Sequence, residues 1–373
     1  MPFPHEVRPP GAEIVDFYLK WPSSVRDAAE RAIKLDLPSE VRVKTGTIRY
    51  GEPELVVVAG MGGSAIGGDL LSDLISDRAR IPVFVCRDYH LPGFVKEGSL
   101  VFAVSYSGNT EETLSAFSEA LRRKCMVIAM TSGGKLAYLC RKLGVPVLEV
   151  PSGMVPRAAL PYLFIPLIVL LERTGAVKGL RGQVEATSEL LRSMREELAP
   201  DVPPERNEAK KLASELLGTV PIIYGFGYLR AVAHRLKTQF NENSKVPSFY
   251  NWLPSLNHDE VVGWEGEEEL TKHFSVIFLR GLSEEPELKA RIELTRELVV
   301  GKAAKVLELH ARGSSRLEEM FSVLYIGEMA SLYLAFARGV NPLITPSIDA
   351  IKSGMKAIHV VERVESEVLS LIP

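Results

Sequence analysis

The chain is 373 residues long, carries a formal net charge of −3 at pH 7, and is 46% hydrophobic and 24% charged. This length predicts two domains, because single hydrophobic cores stop growing at about 250 to 300 residues. The composition is that of a soluble globular protein. The near-neutral charge, with no block of lysine or arginine, argues against a nucleic-acid partner, which needs a concentrated basic face.

Cysteine usage and the apolar runs predict the compartment. The three cysteines, Cys86, Cys125 and Cys140, are odd in number and lack metal-ligand spacing, which indicates a reducing cytosol. The tail from Met1 to Gly11 is proline-rich and has no basic segment followed by an apolar one, so no signal peptide is predicted. The most apolar run, Leu160 to Leu171, is too short to span a membrane. We therefore expect a cytoplasmic protein with no membrane partner.

Predicted strands and helices alternate along the chain. Two short helices come first, at residues 14–20 and 24–35. Apolar, β-branched runs then predict strands at 55–59, 82–86, 100–104, 126–130, 145–150, 220–224, 273–279 and 305–310. Helical or turn segments separate these strands, and the most apolar helices are predicted at 160–171 and 317–337. This alternation predicts an α/β fold with mainly parallel sheets.

The second half of the chain repeats the order of the first. Each half has a glycine-containing loop after its first long strand, at 60–68 and 225–227, and an apolar helix near its end. We interpret this pattern as an internal duplication of one α/β sandwich. Because residues 199–204 are proline-rich, they are the predicted linker, and the domains are expected at 1–198 and 199–373.

Residues 101–113, Val-Phe-Ala-Val-Ser-Tyr-Ser-Gly-Asn-Thr-Glu-Glu-Thr, predict an anion site. Ser105, Ser107 and Thr110 lie where a buried strand turns into a helix, whose first turn offers unpaired N–H groups and the positive end of a dipole. A phosphate monoester would fit there without a lysine. The glycine loop at 60–68 is a second candidate, because both loops would leave the same edge of a parallel sheet.

The alternative for the hydroxyl loop is an ordinary capped helix. Ser107 or Asn109 would then be the N-cap, with Glu111 or Glu112 in the first turn. Capping accounts for one hydroxyl, whereas the loop has three.

Two further stretches contain candidate catalytic side chains. Arg157 follows a predicted strand and precedes the apolar helix, so it can hold a carboxylate, a phosphate or a developing oxyanion, or form a surface salt bridge. Glu242 lies in Asn-Glu-Asn-Ser-Lys at a helix end, where it is either a general base or part of a polar terminal loop. Spacing alone does not separate these alternatives.

The last two stretches contain a histidine and a lysine. His258 can be a zinc ligand, a proton shuttle or a loop histidine, and the lack of a further histidine or cysteine nearby argues against a metal. Lys352 lies in the last predicted helix, which Ser347 can cap, and either faces solvent or reaches into a site.

Taken together, these motifs resemble the bifunctional phosphoglucose/phosphomannose isomerases of the sugar isomerase (SIS) superfamily. The motifs are Gly60-Met-Gly-Gly-Ser-Ala-Ile-Gly-Gly-Asp69, Ser105-Tyr-Ser-Gly-Asn-Thr-Glu-Glu-Thr113, Pro156-Arg157, Asn241-Glu-Asn-Ser-Lys245 and Asn257-His-Asp-Glu260. The resemblance covers nearly the whole chain and implies two SIS-type α/β/α sandwich domains, each with a mainly parallel sheet flanked by helices. The hydroxyl loop alone indicates only a SIS domain, which also occurs in regulators and sugar-phosphate transferases.

The resemblance implies reversible isomerisation of glucose 6-phosphate and mannose 6-phosphate to fructose 6-phosphate, in glycolysis or gluconeogenesis, without cofactor or metal. The sugar phosphate would be bound by Gly62, Gly63, Ser64, Ser105, Ser107 and Thr110. Glu242 would move a proton between C1 and C2, and Arg157 would stabilise the enediolate and exclude water. A positioned carboxylate and a cation are the groups that such a carbon-acid reaction needs.

The resemblance also implies a homodimer with shared active sites. His258, from the neighbouring subunit, would open the sugar ring together with Lys352, and Lys356 is the alternative lysine one helical turn away. Thr345 matches a threonine that gives the substrate room to rotate about C2–C3, so that one base can process both sugars.

Two other functions compete with the isomerase. Gly60-x-Gly62-x-x-Ala65 after a strand satisfies the dinucleotide pattern of an oxidoreductase, but the acid expected about twenty residues later is not clearly placed. A non-catalytic sugar-phosphate sensor would keep the phosphate loops and lack the base and the histidine, whereas this chain has Glu242 and His258.

Overall fold

A computed structural model describes residues 9–373, so the first eight residues of the proline-rich tail lie outside the described part of the chain. The helices are α1 (Ile14–Leu19), α2 (Trp21–Lys34), α3 (Ile66–Leu74), α4 (Glu111–Arg122), α5 (Gly134–Leu143), α6 (Leu160–Arg173), α7 (Arg181–Leu198), α8 (Glu208–Leu216), α9 (Arg230–Glu242), α10 (Glu268–Thr271), α11 (Pro286–Val299), α12 (Arg316–Ala337), α13 (Pro346–Met355) and α14 (Val360–Leu369). The strands are β1 (Glu40–Val43), β2 (Gly46–Arg49), β3 (Leu55–Ala59), β4 (Val83–Cys86), β5 (Ser99–Val104), β6 (Met126–Thr131), β7 (Val147–Glu149), β8 (Val220–Phe226), β9 (Phe249–Leu253), β10 (Phe274–Arg280) and β11 (Lys305–His310). The predicted α/β class is confirmed.

The described residues form two compact units. The first-sheet unit comprises residues 23–185 and 346–373, and the second-sheet unit comprises the residues up to 22 and 186–345. The boundary at 185 lies within α7, and the predicted linker joins α7 to α8 inside the second-sheet unit. The domains expected at 1–198 and 199–373 stay a prediction.

The first-sheet unit contains a five-stranded parallel sheet in the order β4-β3-β5-β6-β7. All of its strands were predicted. Every residue of β5 and β6 is buried, which accounts for their continuous apolar sequences, since helices cover both faces of a parallel sheet. The strand order reverses between β3 and β5, and this is the position at which ligands bind in open α/β sheets.

The second-sheet unit contains a four-stranded parallel sheet in the order β11-β10-β8-β9. Strand β9 was not predicted. It lies at the sheet edge, is mostly half-exposed and is flanked by Pro247 and Pro254, so it lacks the apolar run that identified the other strands.

Helix α12 belongs to the core of the second-sheet unit. By length and composition it could cross a membrane. However, 89% of its most apolar 18-residue stretch is buried inside the protein, as in the core helix of a globular domain. It corresponds to the apolar helix predicted at 317–337.

Candidate active site

The glycine loop and the hydroxyl loop leave the first sheet side by side. Ala59, which ends β3, pairs with Ala103 of β5, and both strands run in the same direction. After β3 the chain makes a 3₁₀ turn, Gly62–Ser64, before α3 begins. The backbone N–H of Tyr106 donates to Ser64 Oγ at 3.3 Å, so the two loops are in contact at the point where the strand order reverses.

The hydroxyl loop places its side chains at the N-terminus of α4. Ser105 Oγ and Thr110 Oγ1 are 2.8 Å apart, and the Gly108 N–H donates to Ser105 Oγ at 3.1 Å. Ser105 is buried, Thr110 is half-buried and Ser107 is exposed. The three side chains therefore differ in exposure, from the protein interior at Ser105 to solvent at Ser107.

The alternative in which Ser107 or Asn109 is an ordinary N-cap of α4 is wrong. The residue that precedes α4 is Thr110, and its side chain makes no hydrogen bond to the helix. The Ser107 hydroxyl instead accepts from the Asn109 N–H at 3.3 Å. Because no side-chain cap is present at α4, the first turn of this helix keeps N–H groups suited to an anion.

Gly108 fixes the shape of the hydroxyl loop. Its φ of +69° is in the left-handed region, and a Cβ there would collide with the carbonyl oxygen of Gly133. Lys135 N–H donates to Asn109 Oδ1 at 3.0 Å, and Ser132 Oγ donates to the Tyr106 carbonyl at 2.7 Å. The loop between β6 and α5 thus holds the hydroxyl loop in place through these two hydrogen bonds.

Arg157 lies beside the glycine loop and is buried. It is 4% exposed, in the 3₁₀ turn Pro156–Ala159 that precedes α6. A Cβ added to Gly63 would lie 3.5 Å from Arg157 Cα and from the Pro156 carbonyl oxygen, so the two turns pack closely. The alternative of a surface salt bridge is wrong, because a surface residue does not have this burial.

Two polar residues near these loops, Arg87 and Tyr89, were not predicted. Arg87 follows β4 at the same sheet edge and pairs with Asp69 in the first turn of α3. The Tyr89 hydroxyl donates to Glu111 in the first turn of α4, and this hydrogen bond raises the pKa of Tyr89 above its usual range. Their position directly after β4 is the sequence signal that could have identified them.

The predicted lysine is exposed. Lys352 lies on α13 and Lys356 lies one turn beyond it, and both belong to the first-sheet unit, as the phosphate loops do. Helix α13 buries none of its residues within the described chain. Because both lysines are exposed, their burial does not distinguish them, and the assignment of Lys352 stays a prediction.

Glu242 is the last residue of α9 in the second-sheet unit, and it is half-buried. The next two residues, Asn243 and Ser244, are fully buried. Asn243 Nδ2 donates to Ser331 Oγ at 2.9 Å, and Ser244 Oγ donates to the Ser331 carbonyl at 2.7 Å. The segment is therefore bound to α12, which distinguishes it from the exposed polar loop considered as an alternative.

His258 is exposed on an anchored loop of the second-sheet unit. Its neighbour Asn257 donates from Nδ2 to Thr295 Oγ1 at 2.7 Å. Glu260 accepts from the Tyr224 hydroxyl at 2.7 Å. No group of three or more histidine, cysteine or acidic side chains within residues 9–373 could hold a metal ion. The remaining predicted residue, Thr345, is half-buried just before α13.

The second sheet has an internal carboxylate where the first has its hydroxyl loop. Strands β8 and β10 are adjacent and parallel, as β3 and β5 are. At their carboxyl ends, Glu319 Oε2 accepts from the Leu282 N–H at 2.8 Å and from the Tyr228 hydroxyl at 2.5 Å. Burial and this hydrogen bond raise the pKa of Tyr228 above its usual range. The Glu319 carboxylate thus accepts the hydrogen bonds that a bound anion would otherwise accept at this place.

We expect Glu319→Ala to lower the free energy of unfolding by about 1–3 kcal/mol, because it leaves the buried Tyr228 hydroxyl and the partly buried Leu282 N–H without this acceptor. Added formate should raise the melting temperature of this variant more than that of the wild type, by replacing the lost carboxylate. Thermal unfolding with and without formate measures both effects. Equal formate shifts in the two proteins would show that the Glu319 carboxylate does not occupy an anion site.

Comparison with known proteins identifies the family. The family model for the bacterial phospho-glucose isomerase C-terminal SIS domain matches residues 205–355. The chain is 40% identical to the bifunctional phosphoglucose/phosphomannose isomerase of Caldicellulosiruptor bescii, over 88% of this chain and 96% of that protein. It is 35% identical to the protein of the same description from Thermoplasma acidophilum, over 82% and 91% of the two chains.

A more distant relative and a solved structure complete the comparison. D-glucosamine-6-phosphate 4-epimerase of Sulfolobus acidocaldarius is 32% identical over 65% of this chain and 70% of its own length. A hypothetical protein from Thermus thermophilus, TT0462, matches with a TM-score of 0.69 at 16% identity, over 91% of this chain and 89% of that one. That structure supports the fold alone. The identities over nearly complete chains show that this protein belongs to the bifunctional phosphoglucose/phosphomannose isomerase family, as its motifs predict.

Proposed function

We propose that this protein interconverts glucose 6-phosphate, mannose 6-phosphate and fructose 6-phosphate. The observation that carries the proposal is the pair of contacting loops beside the buried Arg157, in a chain with 40% identity to a bifunctional isomerase. The loops offer backbone N–H groups, hydroxyls and an uncapped helix N-terminus, which together suit a phosphate monoester.

The phosphate is the part of the substrate that the first-sheet unit recognises in this proposal. The residues that bind it are Gly62, Gly63, Ser64, Ser105, Ser107 and Thr110. Ser105 and Thr110 are already 2.8 Å apart, so their hydroxyls are arranged before substrate binds. A preformed site of this kind spends little binding energy on ordering its own side chains.

The reaction itself needs a base and a stabiliser of negative charge. Glu242 takes a proton from C2 of the aldose and returns it to C1, through an enediolate shared by the glucose and mannose substrates. Arg157 stabilises the enediolate oxygen, and its burial strengthens that interaction because the local dielectric is low. Thr345 leaves room for rotation about C2–C3.

Ring opening precedes the proton transfer, and we assign it to His258 with Lys352 or Lys356. One group protonates the ring oxygen while the other accepts the proton of the C1 hydroxyl. All three side chains are exposed in the single chain, so each can be reached by a substrate or by a second copy of the protein.

The protein is a homodimer in this proposal, with His258 supplied by the neighbouring subunit. Helix α13 buries no residue and leaves Ile351 68% exposed, an apolar surface suited to burial by a second copy. Mixed dimers of Glu242→Gln and His258→Ala chains test this arrangement. Random reassociation should restore about a quarter of the wild-type sites, whereas sites built within one subunit would recover nothing.

We also propose a cytoplasmic enzyme of glycolysis or gluconeogenesis with no membrane partner, because its sugar phosphates are charged intracellular metabolites. The test of function measures fructose 6-phosphate formed from glucose 6-phosphate and, separately, from mannose 6-phosphate, with EDTA present and no nicotinamide cofactor. Comparable turnover of both is the expected result. Turnover of glucose 6-phosphate alone would exclude the proposed C2–C3 rotation, and tight binding without turnover would indicate a sensor. Glucosamine 6-phosphate serves as a third substrate, which separates isomerisation from epimerisation.

A further inference from the structure

A buried ion pair joins the helix of Glu242 to the core of the second-sheet unit. Arg235 of α9 donates from Nε to Glu328 Oε1 of α12 at 2.7 Å, and the side chains are 1% and 0% exposed. The amide of Gln239 completes the cluster when its oxygen faces Arg235 at 3.0 Å and its nitrogen donates to Glu328 at 2.9 Å. Burial raises the pKa of Glu328, and the guanidinium opposes that change.

The ion pair lies on the same stripe of α9 as Glu242. Residues 235, 239 and 242 are spaced by four and three positions, which places them on one face of the helix. Arg235 and Glu242 are about 10 Å apart along the helix axis, at 1.5 Å per residue. The Glu242 carboxylate is close enough to interact electrostatically with both Arg235 and Glu328.

Helix α12 packs closely on α9 at a glycine. Gly327 precedes Glu328, and a Cβ at Gly327 would collide with the Leu236 side chain of α9. One turn further along α12, Ser331 binds Asn243 and Ser244, which follow Glu242. Helix α9 is therefore fixed to α12 on both sides of the position of Glu242 along the chain.

A purely structural role explains this cluster poorly. Burying an ion pair costs desolvation energy that the attraction repays only in part, and apolar residues of the same volume are often as stabilising or better. The charges have a consequence for Glu242, however. A buried Arg235 without Glu328 would attract the Glu242 carboxylate towards the protein interior and away from a substrate.

We propose that Glu328 is a positioning residue for Glu242, acting by neutralising the buried Arg235. Tyr18 of α1 interacts with both Arg235 and Glu328, and Lys245 Nζ donates to the Glu242 carbonyl. The inference rests on the proposed role of Glu242 as the base. It assigns the ion pair to control of that side chain, without contact with substrate.

Steady-state kinetics of Glu328→Gln with glucose 6-phosphate test the proposal. We expect kcat to fall about tenfold, with KM and the inhibition constant of inorganic phosphate within about twofold of wild type, because misplacement of the base affects chemistry and leaves phosphate binding intact. The double variant Arg235→Met, Glu328→Leu removes both charges and should recover kcat to within about threefold of wild type. If Glu328→Gln does not fold, Glu328→Asp, which retracts the carboxylate from Arg235, should show a smaller fall in kcat.

A second buried arginine in the same unit gives a control for the loss of one buried carboxylate. Arg280 and Glu284 are 2.7 Å apart, with 8% and 6% exposed side chains, and neither lies on α9. Arg280 also pairs with Glu293 and Glu308, so it stays neutralised when Glu284 is replaced. Glu284→Gln should lower the melting temperature and leave kcat unchanged. A kcat of Glu328→Gln within twofold of wild type, or a double variant as slow as Glu328→Gln, would overturn the proposal. Substantial activity in Glu242→Gln would instead remove the proposed base, so the two failures are distinguishable.

Discussion

Glu242→Gln is expected to lower kcat by at least about a thousandfold for both glucose 6-phosphate and mannose 6-phosphate, the upper part of the range for loss of a general base. The amide has almost the shape of the carboxylate, but it cannot accept a proton from carbon. The inhibition constant of inorganic phosphate should not change, because the loops that bind phosphate belong to the first-sheet unit and Glu242 belongs to the second. Steady-state kinetics with both sugars measure the effect.

Glu215→Gln provides the control for this experiment. Glu215 lies in the same unit and pairs on the surface with Lys305, so its loss changes the net charge equally and should leave kcat unchanged. A Glu242→Gln enzyme that keeps more than a tenth of the wild-type kcat would exclude Glu242 as the base. A large loss for one sugar alone would contradict a single base shared by both substrates.

The strands of the fold could be predicted where burial on both faces imposes an apolar sequence. Strands β5 and β6 are buried along their whole length, and both were found from composition alone. The hairpin of β1 and β2 and the edge strand β9 were missed, because their exposed positions carry polar residues that dilute the strand pattern. Sequence patterns thus report the buried centre of a sheet better than its edges.

The candidate site shows the same limit: residues close in sequence could be predicted to act together, and residues that meet only in the fold could not. Ser105, Ser107 and Thr110 are close in sequence, so one turn between a strand and a helix was enough to predict that they act together. The pair of Arg235 and Glu328 is separated by 93 positions and meets only when α9 packs on α12. No local pattern identifies such a pair, because a buried arginine and an exposed one look alike in a sequence.

Arg157→Met is expected to lower kcat by about a hundredfold to a thousandfold, the usual cost of removing one group that stabilises a developing oxyanion. Methionine keeps part of the buried apolar stem and removes the charge, so the 3₁₀ turn beside Gly63 should retain its packing. Arg157→Lys should recover part of the loss, because it restores the charge without the planar guanidinium. Thermal unfolding of both variants checks that the fold is intact.

The division of the effect between kcat and KM decides which part of the substrate Arg157 contacts. An arginine that stabilises the enediolate acts in the transition state, so its loss lowers kcat while KM stays near the wild-type value. An arginine that binds the phosphate acts equally in the ground state, so its loss would raise KM and leave kcat almost unchanged. Arg157 is packed against the glycine loop, and its burial is compatible with either contact. A rise in KM alone would therefore assign Arg157 to the phosphate and not to the reacting carbons.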